Sequence, residues 1–180
     1  MSVRTVLAVV LALALCSVSV PAIDHARRDR ATYRADAELA TVSRSMTDLA
    51  DETAVRFGDL PPTGGGPRGA RRVVSLSLPP ESVTVGRIEF VAIGGVPGRQ
   101  SSKDDFGDVL AYRVAGGSTR VRHVPFDVRV ATRSETDGGW TVRPDGEPLV
   151  VHAPARRDIA LLLVEYRGRR TVLVVPAAQL

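Results

Sequence analysis

"TVLAVVLALALCSVSVPAIDHARRDRATYRADAEL" (residues 5–39) decides how this chain is built, because it joins a long apolar run to a charged one without a glycine. The first nineteen of these residues, Thr5 to Ile23, carry no charge. At ~1.5 Å per helical residue they extend ~28 Å, which matches the ~30 Å hydrocarbon core of a bilayer. The stretch therefore predicts a single membrane span, and no other segment of the sequence is long and apolar enough to be a second one.

The same run also has the layout of a secretory signal peptide. A short positive region, Met1 to Arg4, precedes the apolar core, and small or weakly polar residues follow it. Val20 and Ala22 stand at the positions three residues and one residue before a cleavage site that precedes Ile23. Residues 1–23 are therefore either a retained anchor or a signal peptide that is removed.

Two other processing signals do not fit the residues. A lipidation signal needs a small side chain directly before the cysteine, and Leu15 precedes Cys16. A prepilin peptidase needs Gly or Ala after the charged N-terminal region, and Thr5 follows Arg4. We expect neither modification.

The orientation of the span depends on two opposing signals. Arg27, Arg28, Arg30 and Arg34 follow the run and only Arg4 precedes it, which by the positive-inside rule favours a cytoplasmic C-terminal domain. A very short N-terminal head before a long domain is, however, the arrangement of an export signal. We expect the second signal to dominate, which gives a single-pass protein of the cell membrane with an extracellular C-terminal domain.

A long helix is predicted to continue from Asp24 to Gly58, since no Pro or Gly interrupts this part and Ala, Arg, Glu and Asp are frequent in it. Residues 24–36 are mostly charged, which predicts a solvated stalk. Larger apolar residues then recur at 3-4-3 spacing and form a narrow seam. The seam is a candidate partner-packing surface made of Leu39, Val42, Met46 and Leu49.

Three alternatives exist for this seam. It packs on the chain's own β domain, it pairs with the same helix of another copy, or it packs against a different membrane subunit. The sequence leaves all three open.

A Pro/Gly linker, residues 59–70, separates the helix from a region of alternating or β-branched runs, residues 71–180. Within the linker, Gly64 to Gly69 matches G-x-G-x-x-G, but neither a preceding strand nor a following helix supports a dinucleotide site. The short runs and their turns predict an antiparallel β-sandwich. The predicted fold is therefore mostly β with an N-terminal helix, divided into residues 1–23, 24–58, 59–70 and 71–180, with strands at 73–78, 82–93, 109–115, 119–124, 126–132, 140–143, 149–153, 158–166 and 171–175.

The sequence gives no positive sign of catalysis or of a cofactor. His25, His123 and His152 are far apart, and Cys16 is the only cysteine, so no metal site is expected. Asp104, Asp105 and Asp108 lack the spacing of a calcium loop. We expect no enzyme activity, no cofactor and no metal.

Charge and aromatic content argue against nucleic acid as a partner. The 24 basic residues are interleaved with 20 acidic ones, which is typical of a solvated surface. Aromatic residues make up only 4% of the chain, so no platform for stacking bases is expected. The expected partners are the membrane and protein subunits.

The layout and three short motifs resemble a family of small haloarchaeal proteins of unknown function that are encoded among type IV pilus-like and secretion-system components. The motifs are "DHARRDR" (residues 24–30), "ARRVV" (residues 70–74) and "VAGG" (residues 114–117). The resemblance implies a pilin-like subunit: an apolar helix, a helical extension and a β head. Since Arg4-Thr5 lacks a prepilin site, a static accessory subunit is favoured over a major filament subunit, and the alternative is a secreted β-sandwich binding module.

Overall fold

A computed structural model describes residues 3–60, 69–98, 108–134, 138–144 and 146–180, and within these it consists of one long helix and ten strands in two sheets. Helix α1 runs from Val3 to Ala50. The predicted fold class, mostly β with an apolar N-terminal helix, is confirmed.

The helix ends at Ala50 rather than at the predicted Gly58. Asp48, Asp51 and Glu52 lie at this end, where the helix dipole disfavours negative charge. The chain beyond it finds other backbone partners, because Val55–Arg56 pairs with a strand of the sheet. Secondary structure here follows the tertiary pairing rather than helix propensity.

The first sheet is mixed and has six strands. Its order is β1-β9-β10-β6-β7, and β2 lies beside β1 on the same edge of β9. A short 3-10 turn, Phe57–Asp59, follows β1, and another, Ala177–Gln179, follows β10. The strands are β1 (Val55–Arg56), β2 (Arg71–Leu78), β6 (Asp127–Arg133), β7 (Trp140–Val142), β9 (Ala155–Tyr166) and β10 (Arg169–Pro176).

The second sheet is antiparallel and has four strands in the order β5-β4-β3-β8. These are β3 (Ile88–Ile93), β4 (Val109–Val114), β5 (Arg120–His123) and β8 (Leu149–Val151). Each of the nine predicted strands has a counterpart, but β3 begins at Ile88 instead of residue 82. Most strand pairs are antiparallel, as predicted, but the first sheet is mixed because β1 pairs with β9 and β6 with β10 in parallel.

The β9–β10 hairpin occupies the centre of the first sheet, as its apolar sequence predicts. Residues 159–164 and 172–175 are at most 2% exposed, so both faces of these strands are covered. The two-residue turn at Arg167 and Gly168 has positive φ at both positions (50° and 76°), which is the geometry of a type I′ hairpin turn. This hairpin supplies the framework on which the helix packs.

The C-terminal half of α1 belongs to the same apolar core as the inner faces of both sheets. Ala31 and Ala35 are buried together with the larger residues that follow them on the same helix face. They share one cluster with residues such as Leu110, Leu161 and Val174. The predicted boundaries, with a separate stalk at 24–58, are therefore corrected: the helix enters the β domain near Ala31. The linker residues 61–68, including most of the glycine-rich match, lie outside the described residues.

Candidate functional site: the junction between the apolar helix and the β domain

The N-terminal half of α1 leaves the β domain entirely. Its large apolar side chains are exposed, with values between 52% and 78% from Val3 to Ile23. An 18-residue window of this half is apolar enough to cross a membrane, and none of it is buried by the protein. Exposure of this much continuous apolar surface to water would be unfavourable, so this half requires an apolar environment of its own.

Pro21 lies inside this helix without ending it. Proline lacks the N–H that would bond to the carbonyl four residues earlier. Two hydroxyls in the preceding turn donate to backbone carbonyls, Ser17 to Leu13 at 2.5 Å and Ser19 to Leu15 at 2.8 Å. Serine bonds of this kind and local proline adjustments are tolerated in membrane helices. The helix therefore remains continuous from the apolar half into the β domain.

The β2–β3 loop binds the helix just below the apolar run. Arg27 donates from Nε to the carbonyl of Ser82 at 3.1 Å and from Nη2 to the carboxylate of Glu81 at 2.9 Å. The backbone N–H of Gly86 donates to the carbonyl of Arg27 at 2.9 Å. Glycine suits this close approach, because a Cβ at position 86 would lie 3.2 Å from that carbonyl oxygen, which is tighter than an ordinary van der Waals contact.

The β4–β5 turn lies close to the helix in the same region. Gly116 approaches the guanidinium of Arg28, so that a Cβ on this glycine would be 3.8 Å from Nε. The two loops are themselves joined, since the N–H of Ala115 donates to the carbonyl of Arg87 at 2.9 Å. We call residues 81–87 and 115–118 the collar, because they are the loops that meet the helix where it leaves the β domain.

Strand β2 runs antiparallel to the helix and is tied to it along its length. Arg72 pairs with Asp48 at 3.2 Å, and the N–H of Ser77 donates to Glu38 at 3.2 Å. With the Arg27–Ser82 contact, these pairs form a regular series in which β2 and the loop after it approach the apolar half of the helix as the residue number rises. These contacts therefore fix the rotation of the helix about its axis, and its position along that axis, relative to the β domain.

A buried polar contact fixes the helix to the second sheet. The phenol of Tyr112, a residue only 4% exposed, donates to the Asp36 carboxylate at 2.8 Å. Arg122 lies 4.0 Å from the other oxygen of that carboxylate. Burial, together with the hydrogen bond and the negative charge of Asp36, raises the pKa of Tyr112 to about 12. The neutral phenol is thus the form that holds the helix.

This contact predicts a loss of stability at high pH. Below pH 10, the ordinary tyrosine pKa, the neutral phenol stabilises the fold fully; that contribution is lost as the pH rises from about 10 through 12. Between pH 9 and 11.5, the loss of this contribution should lower the free energy of unfolding by roughly 2 kcal/mol. Tyr112→Phe should show a shallower decrease, measured by urea unfolding of the full chain in detergent. Parallel pH curves for the two proteins would contradict the assignment.

The four seam residues predicted from sequence do come together, but the protein itself covers them. Leu39, Val42, Met46 and Leu49 are 0–1% exposed and lie in the core cluster shared with both sheets. The interpretation of these residues as a surface for a partner is therefore corrected, and the first of the three alternatives describes their packing. A 3-4-3 seam indicates that a helix face is buried, but not which chain buries it.

The histidines take structural or exposed positions within the described residues. His25 lies 3.4 Å from Asp29 on the helix surface, and Nδ1 of His152 lies 3.0 Å from the carbonyl of Glu89. His123 is exposed on β5. In the parts of the chain that the structure describes, no group of three or more His, Cys, Asp or Glu residues has the geometry to hold a metal ion.

A cleft of about 630 Å³ lies near the C-terminus of α1, at the opposite end of the helix from its apolar half. Its carboxylates already serve the fold. Asp108 accepts from the N–H of Val128 at 2.9 Å, and Asp127 accepts from Thr171 at 2.5 Å and from Arg129 at 3.0 Å. Asp104 and Asp105, and the acidic pair Glu135 and Asp137, lie outside the described residues.

The collar is the feature of this candidate site that sequence reasoning missed. The signal was present in "PPESVTVGR" (residues 79–87), where two prolines precede a Ser-x-Thr segment and a glycine. The alternation of this segment resembles a strand. Ser82 instead closes a turn, because its hydroxyl accepts from the N–H of Val85 at 3.1 Å and its own N–H donates to the Val85 carbonyl at 2.9 Å.

Comparison with known proteins gives a family for this chain. A family model described as a domain of unknown function (DUF7311) matches residues 2–177, and the chain belongs to this family. No curated protein and no solved structure is significantly similar to the chain. The family match covers the apolar helix and the β domain together.

Proposed function

We propose that this member of the DUF7311 family is a membrane-anchored, non-catalytic structural or accessory subunit of a pilus-like or secretion assembly, with its β domain outside the cell. The observation that carries the proposal is the single helix from Val3 to Ala50, uncovered over its apolar half and buried in the β domain from Ala31. A helix of this kind holds a domain at a membrane and transmits force or orientation to it. The pilin-like layout and the resemblance to haloarchaeal pilus-associated proteins support the assembly role.

The alternative is a secreted binding module, cleaved between Ala22 and Ile23. One observation favours it: the buried helix face begins only at Ala31, so cleavage would leave the core of the β domain complete. Against it, the bond between Ala22 and Ile23 lies within a continuous helix. That helix would have to unwind before a protease could cut it.

The anchor proposal predicts that the mature protein keeps residues 1–22 and stays in membranes after alkaline carbonate extraction. The apolar run explains this result, because removing it from lipid would expose about twenty apolar residues to water. Intact mass spectrometry and extraction of native membranes provide the measurement. A carbonate-soluble protein starting at Ile23 would refute the anchor and support the secreted module.

Orientation is tested separately with a thiol reagent that cannot cross membranes. In a Cys16→Ala background, a cysteine replacing the exposed Val73 on β2 should react in intact cells if the β domain is outside. Reaction only after cell lysis would place the domain in the cytoplasm, as the arginines after the span would by themselves favour.

A further inference from the structure

We infer that the tip of the β2–β3 loop, at Val83, lies in the headgroup layer of the membrane and is a second contact between the β domain and lipid; this inference rests on the proposed anchor. Val83 is 85% exposed, which exceeds the 78% of Val3, the most exposed of the described large apolar residues in the apolar helix half. A single exposed valine is ordinary on a protein surface. Its position relative to the helix is what makes this one informative.

Three contacts of one guanidinium give that position. Arg27 bonds to Ser82 and Glu81, and its Nη1 also lies 3.5 Å from the carboxylate of Asp24. Helical side chains lean toward the helix N-terminus, so the Arg27 guanidinium reaches one turn toward the membrane. The loop at Ser82 is therefore level with Asp24, the first charged residue after the apolar run.

The loop tip is held firmly rather than hanging from the domain. The Ser82–Val85 turn is closed by backbone bonds in both directions, at 2.9 and 3.4 Å. Val85 is buried at 4% exposure and fixes the base of the turn, whereas Val83 points away from the core. Because the turn is already ordered, contact between its apolar tip and the lipid headgroups costs little further conformational entropy.

The charges around this tip suit a lipid surface. Arg28 and Arg30, which lie ~6 and ~9 Å from Asp24 along the helix axis, and Arg87 on the loop are exposed. Arginine side chains at a membrane boundary place their charge among the phosphates while their stems cover apolar surface. Arg27, by contrast, is occupied by Asp24 and Glu81. Two lipid contacts, the helix and Val83, would fix both the tilt and the rotation of the β domain on the membrane.

Lipid quenching of a fluorophore tests this inference in the full chain. In a Cys16→Ala background, Val83→Cys is labelled with an environment-sensitive dye and the protein is reconstituted into vesicles containing headgroup spin-labelled lipid. The matched control is Val73→Cys, which replaces another exposed valine (55%) of the same domain. Since Arg72 pairs with Asp48, position 73 lies ~36 Å farther along the helix axis than Asp24.

The expected result is quenching several-fold stronger at position 83 than at position 73. Equal quenching at the two positions in a protein that resists carbonate extraction would overturn the inference and leave the anchor intact. That outcome would show that Val83 faces water or another protein. A protein that does not insert into the vesicles at all would refute the anchor and this inference together.

Discussion

A chain shortened to begin at Asp51 is expected to remain unfolded, whereas a chain that begins at Asp24 should fold. The chain from Asp51 retains every strand of both sheets but loses the helix face that starts at Ala31. Burying a Leu, Val or Met side chain is worth ~1.5–3 kcal/mol, so the four larger residues of that face together contribute roughly 6–12 kcal/mol. That is comparable with the whole stability of a typical domain, ~5–15 kcal/mol.

The loss would extend beyond the helix's own residues. Removing α1 also exposes the apolar side chains of both sheets that it covers, including Leu161 and Val174. Asp36, the partner of Tyr112, and Asp48, the partner of Arg72, would disappear as well. Far-ultraviolet circular dichroism and urea unfolding of the two shortened chains provide the measurement. A cooperative unfolding transition in the chain from Asp51 would show that the β domain is independent of the helix.

The second large effect is expected for Leu39→Asp. Leu39 is 1% exposed at the centre of the buried helix face, and among the described residues the core contains no buried cation that could pair with a carboxylate there. Truncation of a buried leucine alone costs ~2–5 kcal/mol, and an uncompensated buried charge adds several more. The variant should therefore lose most or all of the stability of the β domain.

Ala37→Asp is the matched control for this variant. It introduces the same side chain two residues away on the exposed face of the same helix, where we expect a change within about 0.7 kcal/mol from helix propensity. The fluorescence of Trp140, the sole tryptophan, reports unfolding of the full chain in detergent. Similar stabilities for the two variants would mean that Leu39 is not in the core. Loss of self-association without loss of stability would restore the partner interpretation of the seam.

These two predictions concern stability, yet they bear on function. If the helix is an integral part of the core, movement of the membrane span cannot be separated from movement of the β domain. A flexible stalk would let the domain sample many orientations above the lipid. The contacts at Arg27, Glu38 and Asp48 instead fix one orientation. This is the behaviour expected of an assembly subunit whose surfaces must be presented in a defined direction.

Local pattern in the sequence was enough to place the elements. The apolar run, the 3-4-3 seam and the nine alternating or β-branched segments predicted the helix, its buried face and the positions of nine strands. These predictions succeed because helix and strand periodicities are patterns of residues that are neighbours in the sequence. The same reasoning extended the helix too far, to Gly58, because it could not weigh the pairing of Val55 with Val164.

Only one of the two parts of the candidate site could be predicted from the sequence. The sequence identified the apolar half of the helix but not the collar, since Arg27 and its partner Glu81 are 54 residues apart. The segment before Ile88 alternates like a strand, but bonds between Ser82 and Val85 make it a turn and the bond from Gly86 to Arg27 holds it against the helix. Pairings between distant residues depend on the complete packing and leave no local periodicity to detect.

By itself the sequence determined that this protein has one apolar helix able to span a membrane and a β-rich domain after it. Composition and periodicity are properties of short stretches, and they suffice for that. Only the tertiary structure decided that this same helix, exposed over its apolar half, also forms part of the core of the β domain. An apolar stripe on a helix is stabilised by burial against any apolar surface, so the sequence does not say which surface covers it. Only the fold shows that the chain's own two sheets cover Leu39 and Met46.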